Sequence, residues 1–182
     1  MGIFKNILNE IKNPVLYVDI FVEFLGTFFL LFIGSSSLMN SNASFNAGST
    51  FGLILVGLIT VFSERGGCHL NPAISIAHFI SHRIQFIRFI FYVIAQHCGS
   101  ISGTILINVL TNHSFDNTVN EPNIANSRAV VIEGILTFIL VLIIFTVKNN
   151  FNSEIYNGLL LGVAVGVTVF VFHIGFVSSI KF

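Results

Sequence analysis

Long apolar stretches separated by short polar segments make up most of this chain. Polar residues 1–14 come first, and we predict that they form a cytoplasmic tail containing a short amphipathic helix. About 20 apolar residues suffice for a helix to cross the hydrocarbon core of a bilayer. We therefore predict five membrane-spanning helices: residues 16–38, 47–62, 86–110, 129–147 and 155–176.

A further apolar stretch is too short to cross a bilayer and begins with a helix-start signal. After two glycines, Asn71 is a favoured N-cap residue and Pro72 is favoured at the first helical position. A helix from Pro72 to about Ile80 would rise only ~15 Å, half of the bilayer core. Half helices of this kind occur where their ends line a cavity inside the protein.

The N-terminus of the predicted half helix has a defined electrostatic character. If Asn71 caps the helix through its carboxamide oxygen, its NH₂ group points away from the helix as a donor. The partial positive charge of the helix dipole lies beside this donor. The combination orients the oxygen of a water molecule and disfavours a cation.

Charged residues and loops indicate the sidedness of the chain. Arg83, Arg88 and the predicted short loop 148–150 lie on the inner side by the positive-inside rule. The polar loops 39–46 and 111–128 then lie outside. Each of them contains a candidate glycosylation sequon, at Asn42 and at Asn112 respectively.

Acidic and amide side chains lie within the apolar stretches, and the first of them, Asp19, is expected near the membrane interface. Carboxylates inside membrane spans are costly, so Glu23 and Glu133 are expected to face the bundle and to have partners. We expect Glu23 to accept hydrogen bonds from the backbone of the re-entrant loop. The alternative is an ion-coupled carrier in which Glu23 and Glu133 move protons. Gln96, in the middle of the third stretch, is expected to make helix contacts.

Composition excludes most other classes of protein. Hydrophobic residues make up 54% of the 182 residues and charged residues only 9%, whereas a soluble domain has ~25% charged residues. The mean hydropathy is +0.89. Net charge is zero without a basic patch, so nucleic acid is not an expected partner. Two cysteines give no disulfide framework, and we predict that the first span is not cleaved. Without a nucleophile–base or metal-ligand constellation, we expect no enzyme activity, no cofactor and no metal.

An internal repeat relates the two halves of the chain. The pattern E-x-x-x-T-F begins at Glu23 and again at Glu133, an offset of 110 residues. An odd number of spans separates the copies, so the second copy is inverted in the membrane. The sequence thus predicts a single domain with a first repeat at 15–110 and an incomplete second repeat at 129–182. The offset places a second Asn-Pro-Ala at position 181, where the chain instead reads Lys-Phe.

The ordered set of these motifs resembles the aquaporin (major intrinsic protein) family. The resemblance implies an all-α, inverted-repeat membrane bundle with six spans and two half helices. Of these we expect five spans and one half helix in the 182 residues, without the second half helix and the sixth span. It also implies a tetramer in which each subunit has its own pore. The matching segments are Glu23–Phe28, Gly67–Ala73, Ala95–Gln96, Val131–Glu133 with Thr137–Phe138, and Leu161–Gly166.

The resemblance also implies roles for particular residues. Asn71, Pro72 and Ala73 would be the first pore motif. Two outer selectivity-filter positions would be Phe51 and Val169, and a valine there suggests a wide, weakly polar filter. Cys68 is a candidate mercurial site, or simply a small buried residue. The residues that brace the re-entrant loops would be Glu23, Glu133, Gln96 and His69.

The expected function is therefore passive transport across a lipid bilayer, through a channel for water or small neutral solutes. The plasma membrane is the expected location, with the N-terminus in the cytoplasm. A homotetramer or a hetero-oligomer with full-length homologues is the expected assembly. The alternative is a membrane subunit that does not conduct but associates with full-length homologues.

Overall fold

A computed structural model describes residues 2–37, 43–63, 67–112, 126–150 and 154–172. Within these ranges the chain forms helices and no strand, which confirms the predicted all-α fold. Seven helices follow in order: α1 (Gly2–Ile11), α2 (Pro14–Ser36), α3 (Ala43–Phe62), α4 (Pro72–Ile80), α5 (Phe86–Thr111), α6 (Asn126–Asn150) and α7 (Glu154–Phe172).

Three of these helices are long and apolar enough to cross a membrane: Pro14–Ser36, Phe86–Thr111 and Val130–Asn149. They correspond to the first, third and fourth predicted spans. Two shorter apolar helices, Ala47–Phe62 and Gly158–Phe172, correspond to the second and fifth within the described residues. Large apolar side chains such as Leu53 and Val130 are exposed on the outside of the bundle, as expected for a surface in contact with lipid.

Two predicted loop boundaries are wrong. The helix α3 already begins at Ala43, inside the predicted outer loop. The helix α6 continues through Lys148 to Asn150, where a short inner loop was predicted. The polar end of α6 stays helical because its side chains have partners: Lys148 donates to the carbonyl of Gly67, and Asn149 accepts from Arg83.

Glycines bring the long helices into close contact. Gly99 and Gly103 of α5 lie against the backbone of α2, and the two helices run in parallel. The helices α3 and α7 cross in antiparallel directions, and a Cβ atom at Gly52 would lie 2.6 Å from the carbonyl oxygen of Gly166. Small residues are the usual means of close helix packing in membranes.

The apolar core lies mainly between α3, α6 and α7, and the segment before α4 enters beside it. Cys68, Leu70 and Ile74 join this core from the re-entrant segment. The core therefore surrounds the loop that leads into the half helix. Its other members are Leu30, Leu55, Leu58, Ile59, Leu140, Ile144, Leu161 and Val165.

Candidate functional site

The loop before α4 has a strained backbone. Gly67, Cys68 and Leu70 have φ angles of 84°, 46° and 51°, all in the left-handed region. For residues other than glycine, this conformation costs of order 1–3 kcal/mol each and persists only when the surroundings enforce it. Contacts from other helices must therefore hold Cys68 and Leu70 in place.

The carboxylate of Glu23 supplies the principal contacts. Its Oε1 accepts a hydrogen bond from the backbone N–H of His69 at 2.7 Å, and its Oε2 accepts one from Leu70 at 2.8 Å. The Nε2 of Gln96 donates to the same Oε2 at 2.8 Å. Glu23 lies about 14 Å along α2 from its first residue, and Gln96 about 15 Å along α5. The loop is thus held near the middle of both spanning helices.

Ser75 connects this brace to the half helix. Its Oγ accepts a hydrogen bond from Gln96 Nε2 at 2.9 Å and donates to the carbonyl oxygen of Asn71 at 3.3 Å. The Nδ1 of His69 lies 3.1 Å from the same hydroxyl. Sequence reasoning missed Ser75. The available signal was its position four residues after Asn71, which is one turn along the same face of the helix.

The first turn of α4 is capped as its sequence predicts. Asn71 has an extended backbone, and its Oδ1 accepts a hydrogen bond from the N–H of Ala73 at 2.8 Å. Pro72 occupies the first helical position, where a missing N–H has no cost. Since the oxygen of the carboxamide is used in the cap, its NH₂ group is directed away from the helix. Asn71 lines the adjacent cavity.

A cavity of about 70 Å³ lies between the loop and the helices α2, α3, α4, α6 and α7. A cavity needs about 10–15 Å³ to hold one water molecule, so this volume has room for more than one. The polar part of its wall comprises Gly67, His69, Asn71, His78 and Lys148. The rest of the wall is almost wholly apolar, with Leu30, Leu55, Ile59, Cys68, Leu70, Ile74, Leu140, Ile144, Leu161, Val165 and Val169.

Two histidine rings pack together at this wall. The ring centroids of His69 and His78 are 4.1 Å apart. The Nδ1 of His78 lies 2.9 Å from the carbonyl oxygen of Ile74, which can only accept. Neutral His78 therefore carries its proton on Nδ1, and its Nε2 is an acceptor. This Nε2 is buried and has no hydrogen-bond partner among the described residues.

The two residues expected at the selectivity filter, Phe51 and Val169, pack against the same apolar core but differ in their relation to the cavity. Val169 lines the cavity. Phe51 is absent from the cavity wall, and its ring packs against α2 where Gly34 leaves space. Cys68 is buried, with its thiol 3.7 Å from the carbonyl oxygen of Leu58. A mercurial reaction at Cys68 stays a prediction.

Two other predicted residues, Glu133 and Asn112, lie outside this site. Glu133 has an exposed side chain on α6, in contrast to the buried brace that the resemblance implies. In the described part of the chain, no segment covers that face of α6. Asn112 is exposed at the end of α5. Asn42 lies outside the described residues.

An ionic cluster fastens the N-terminal helix to the bundle. The Nε of Arg88 lies 2.7 Å from Oε1 of Glu10 on α1, and the guanidinium also pairs with Asp19 on α2. Asp19 is 1% exposed, so its charge is compensated inside the protein. The cluster joins α1, α2 and α5 near the starts of α2 and α5. The sequence identified Asp19 and Arg88 only as residues near the membrane interface.

Comparisons with known proteins agree with this architecture. The family model described as "Major intrinsic protein" matches residues 10–179. Nodulin-26 of Glycine max is 36% identical over 156 residues, which cover 81% of this chain and 56% of the relative. Aquaporin-5 of Sus scrofa is 32% identical over 168 residues, 88% of this chain and 63% of the relative. The aquaglyceroporin structure from Plasmodium falciparum superposes with a TM-score of 0.77 at 26% identity, covering 88% of this chain and 73% of that one.

Proposed function

Because the chain belongs to the major intrinsic protein family, we propose that it takes part in passive transport of water across a membrane, as a channel. Small uncharged solutes are further candidates. The chain spans 56% and 63% of the length of the two curated relatives named above. The observation that carries the proposal is the Asn71-capped half helix, which begins at mid-depth beside a cavity large enough to hold water.

The chemistry of the cavity suits the conduction of water. The NH₂ group of Asn71 and the N-terminus of α4 would donate to the oxygen of a passing water molecule, which turns its protons away from the centre. The apolar wall offers few competing hydrogen bonds, so the molecule would not be held. Transport of this kind needs no bond-making step and no cofactor, and we propose a channel rather than an enzyme.

The setting of the channel is also part of the proposal. The basic residues near the ends of the helices support an N-terminus in the cytoplasm. We propose the plasma membrane as the location and lipid as the surrounding partner. A homotetramer, or a hetero-oligomer with longer homologues, is the proposed assembly. The brace made by Glu23, Gln96 and His69 would hold the loop in shape in either assembly.

Osmotic swelling of vesicles tests the channel. Vesicles that contain the chain should swell faster than empty vesicles, and Asn71→Asp should remove most of the gain, since it replaces the donor with a negative charge. The matched control is Asn112→Asp, which makes the same change at an exposed position at the end of α5. Swelling equal to that of empty vesicles, with the protein present in the membrane, would contradict conduction. It would favour a subunit that associates with longer homologues, which co-purification would detect.

A further inference from the structure

A basic side chain lies in the wall of the cavity at the end toward which α4 runs. Lys148, in the last turn of α6, lines the cavity together with Asn71 and His78. The ends of α4 and α6 pack side by side, because the ring of Phe145 meets that of His78 with centroids 4.8 Å apart. The N-terminus of α4 lies at mid-depth, and its C-terminus lies toward one mouth of the cavity. Lys148 is near this C-terminal end and therefore lies toward that mouth.

The direct polar contacts of Lys148 are weak, and the carboxylate of Glu23 acts on its charge only from beyond ion-pair distance. Its Nζ donates to the carbonyl oxygen of Gly67 at 3.4 Å, a long hydrogen bond. In the described ranges, ion pairs within 4 Å are formed by Arg88 and do not include Lys148. Both oxygens of Glu23 are used by loop amides and by Gln96. An ammonium has three donors, so Lys148 keeps donor capacity for the contents of the cavity.

The surroundings of Lys148 strengthen the effect of its charge on a passing ion. Glu23 does not line the cavity, whereas Lys148 does. An ion in the cavity would therefore meet the ammonium directly and the carboxylate only behind the loop. Apolar side chains such as Ile144 and Leu161 form the neighbouring wall. They lower the local dielectric constant and lengthen the reach of the charge.

We propose that Lys148 is a specificity-determining residue that excludes small cations at the inner mouth of this cavity. It would act in addition to Asn71 and the dipole of α4. Neutral molecules would pass, because they accept hydrogen bonds from the ammonium without being repelled by its charge. The inference deepens the proposed channel function and rests on it. A single charge at a partly hydrated mouth changes the entry of a small ion by about tenfold or more.

Methylammonium uptake into vesicles tests the inference. The vesicles are held at an inside-negative potential and at mildly acidic pH, so that nearly all of the methylammonium is cationic. Wild type and Lys148→Arg should take up no more than empty vesicles. Lys148→Met, which keeps the length of the side chain, should raise uptake about tenfold. Lys148→Glu should raise methylammonium uptake further, and it provides the test if Lys148→Met does not fold. The matched control is Lys12→Met, an exposed lysine remote from the cavity, which should behave as wild type.

Water swelling of the same vesicles separates the two proposals. If wild type swells fast and neither Lys148→Met nor Lys148→Glu gains methylammonium uptake, the role of Lys148 is overturned and the channel stands. If wild type swells no faster than empty vesicles but either variant leaks methylammonium, the water channel fails and the cation barrier is supported. If neither flux appears in any folded variant, both proposals are overturned. Equal leaks in Lys148→Arg and Lys148→Met would also overturn the role of its charge.

Discussion

Replacing Glu23 by glutamine should release the loop that precedes the half helix. The carboxylate accepts hydrogen bonds from two consecutive loop amides, His69 and Leu70, and from Gln96. A glutamine keeps one acceptor oxygen and turns an NH₂ group toward a remaining donor. At least one buried N–H of the loop then loses its partner, while the rest of the protein is unchanged.

The magnitude follows from the bonds lost. A hydrogen bond to a charged group contributes about 1.5–3 kcal/mol, and a buried donor without a partner costs a similar amount. We expect the loop to open more easily by about 3 kcal/mol, which is roughly 150-fold in the opening equilibrium at 1.4 kcal/mol per tenfold. The left-handed backbone at Cys68 and Leu70 favours opening in both proteins and therefore leaves this ratio unchanged.

Cys68 reports the opening directly. Its thiol is buried in the loop, and the other cysteine, Cys98, is exposed and can be replaced by serine to give a single-thiol background. In that background, the rate of Cys68 labelling should rise about 150-fold in Glu23→Gln, provided that the loop recloses faster than it reacts. Glu133→Gln is the matched control, because Glu133 is exposed on α6. A labelling rate that changes by less than about threefold would refute the brace.

Two further substitutions test the packing, and the thermal midpoint of the far-ultraviolet circular dichroism signal checks both. Arg88→Met should lower the free energy of unfolding by about 3–5 kcal/mol and with it the midpoint, because buried Asp19 loses its cation. A midpoint equal to that of wild type would contradict the ionic cluster. Gly99→Ala should cost about 1–3 kcal/mol because its new methyl group meets the backbone of α2. Gly134→Ala is the matched control and should not lower the midpoint, because its new methyl group has no neighbour within 4 Å. Equal losses in Gly99→Ala and Gly134→Ala would argue against close packing of α2 and α5.

Local signals explain why much of the architecture could be predicted from the sequence. The half helix is encoded by a cap at Asn71, a proline at the next position and a length too short for a bilayer. The cost of a carboxylate in an apolar span predicted that Glu23 must have partners, and the backbone of the loop is the partner that the structure shows. In each case the physical cause lies within a few residues of the chain.

Contacts between distant segments explain what could not be predicted. Lys148 was assigned to a loop because it is charged, yet its partner Gly67 lies 81 positions away. Ser75 is an unremarkable polar residue until Gln96 of another helix reaches it. Counting residues from Asn71 predicts a filter position for Phe51, and this count does not reveal that its ring packs in the space left by Gly34 on α2. The spacing of residues along one helix does not specify which side chains and gaps the neighbouring helix presents to them.

The arrangement of charges separates the shape of the cavity from its selectivity. The carboxylate of Glu23 holds the loop on the side away from the cavity, and Glu23 is not part of the cavity wall. The polar groups that do line the wall include a donor at Asn71 and an ammonium at Lys148. A passing cation thus meets repulsion at both positions without a compensating carboxylate. Loss of Glu23 should therefore loosen the loop and lower the water flux together, whereas loss of Lys148 should admit cations while labelling of Cys68 stays slow. If loss of Glu23 and loss of Lys148 changed Cys68 labelling and the fluxes in the same way, the shape of the cavity and its charge could not be separated.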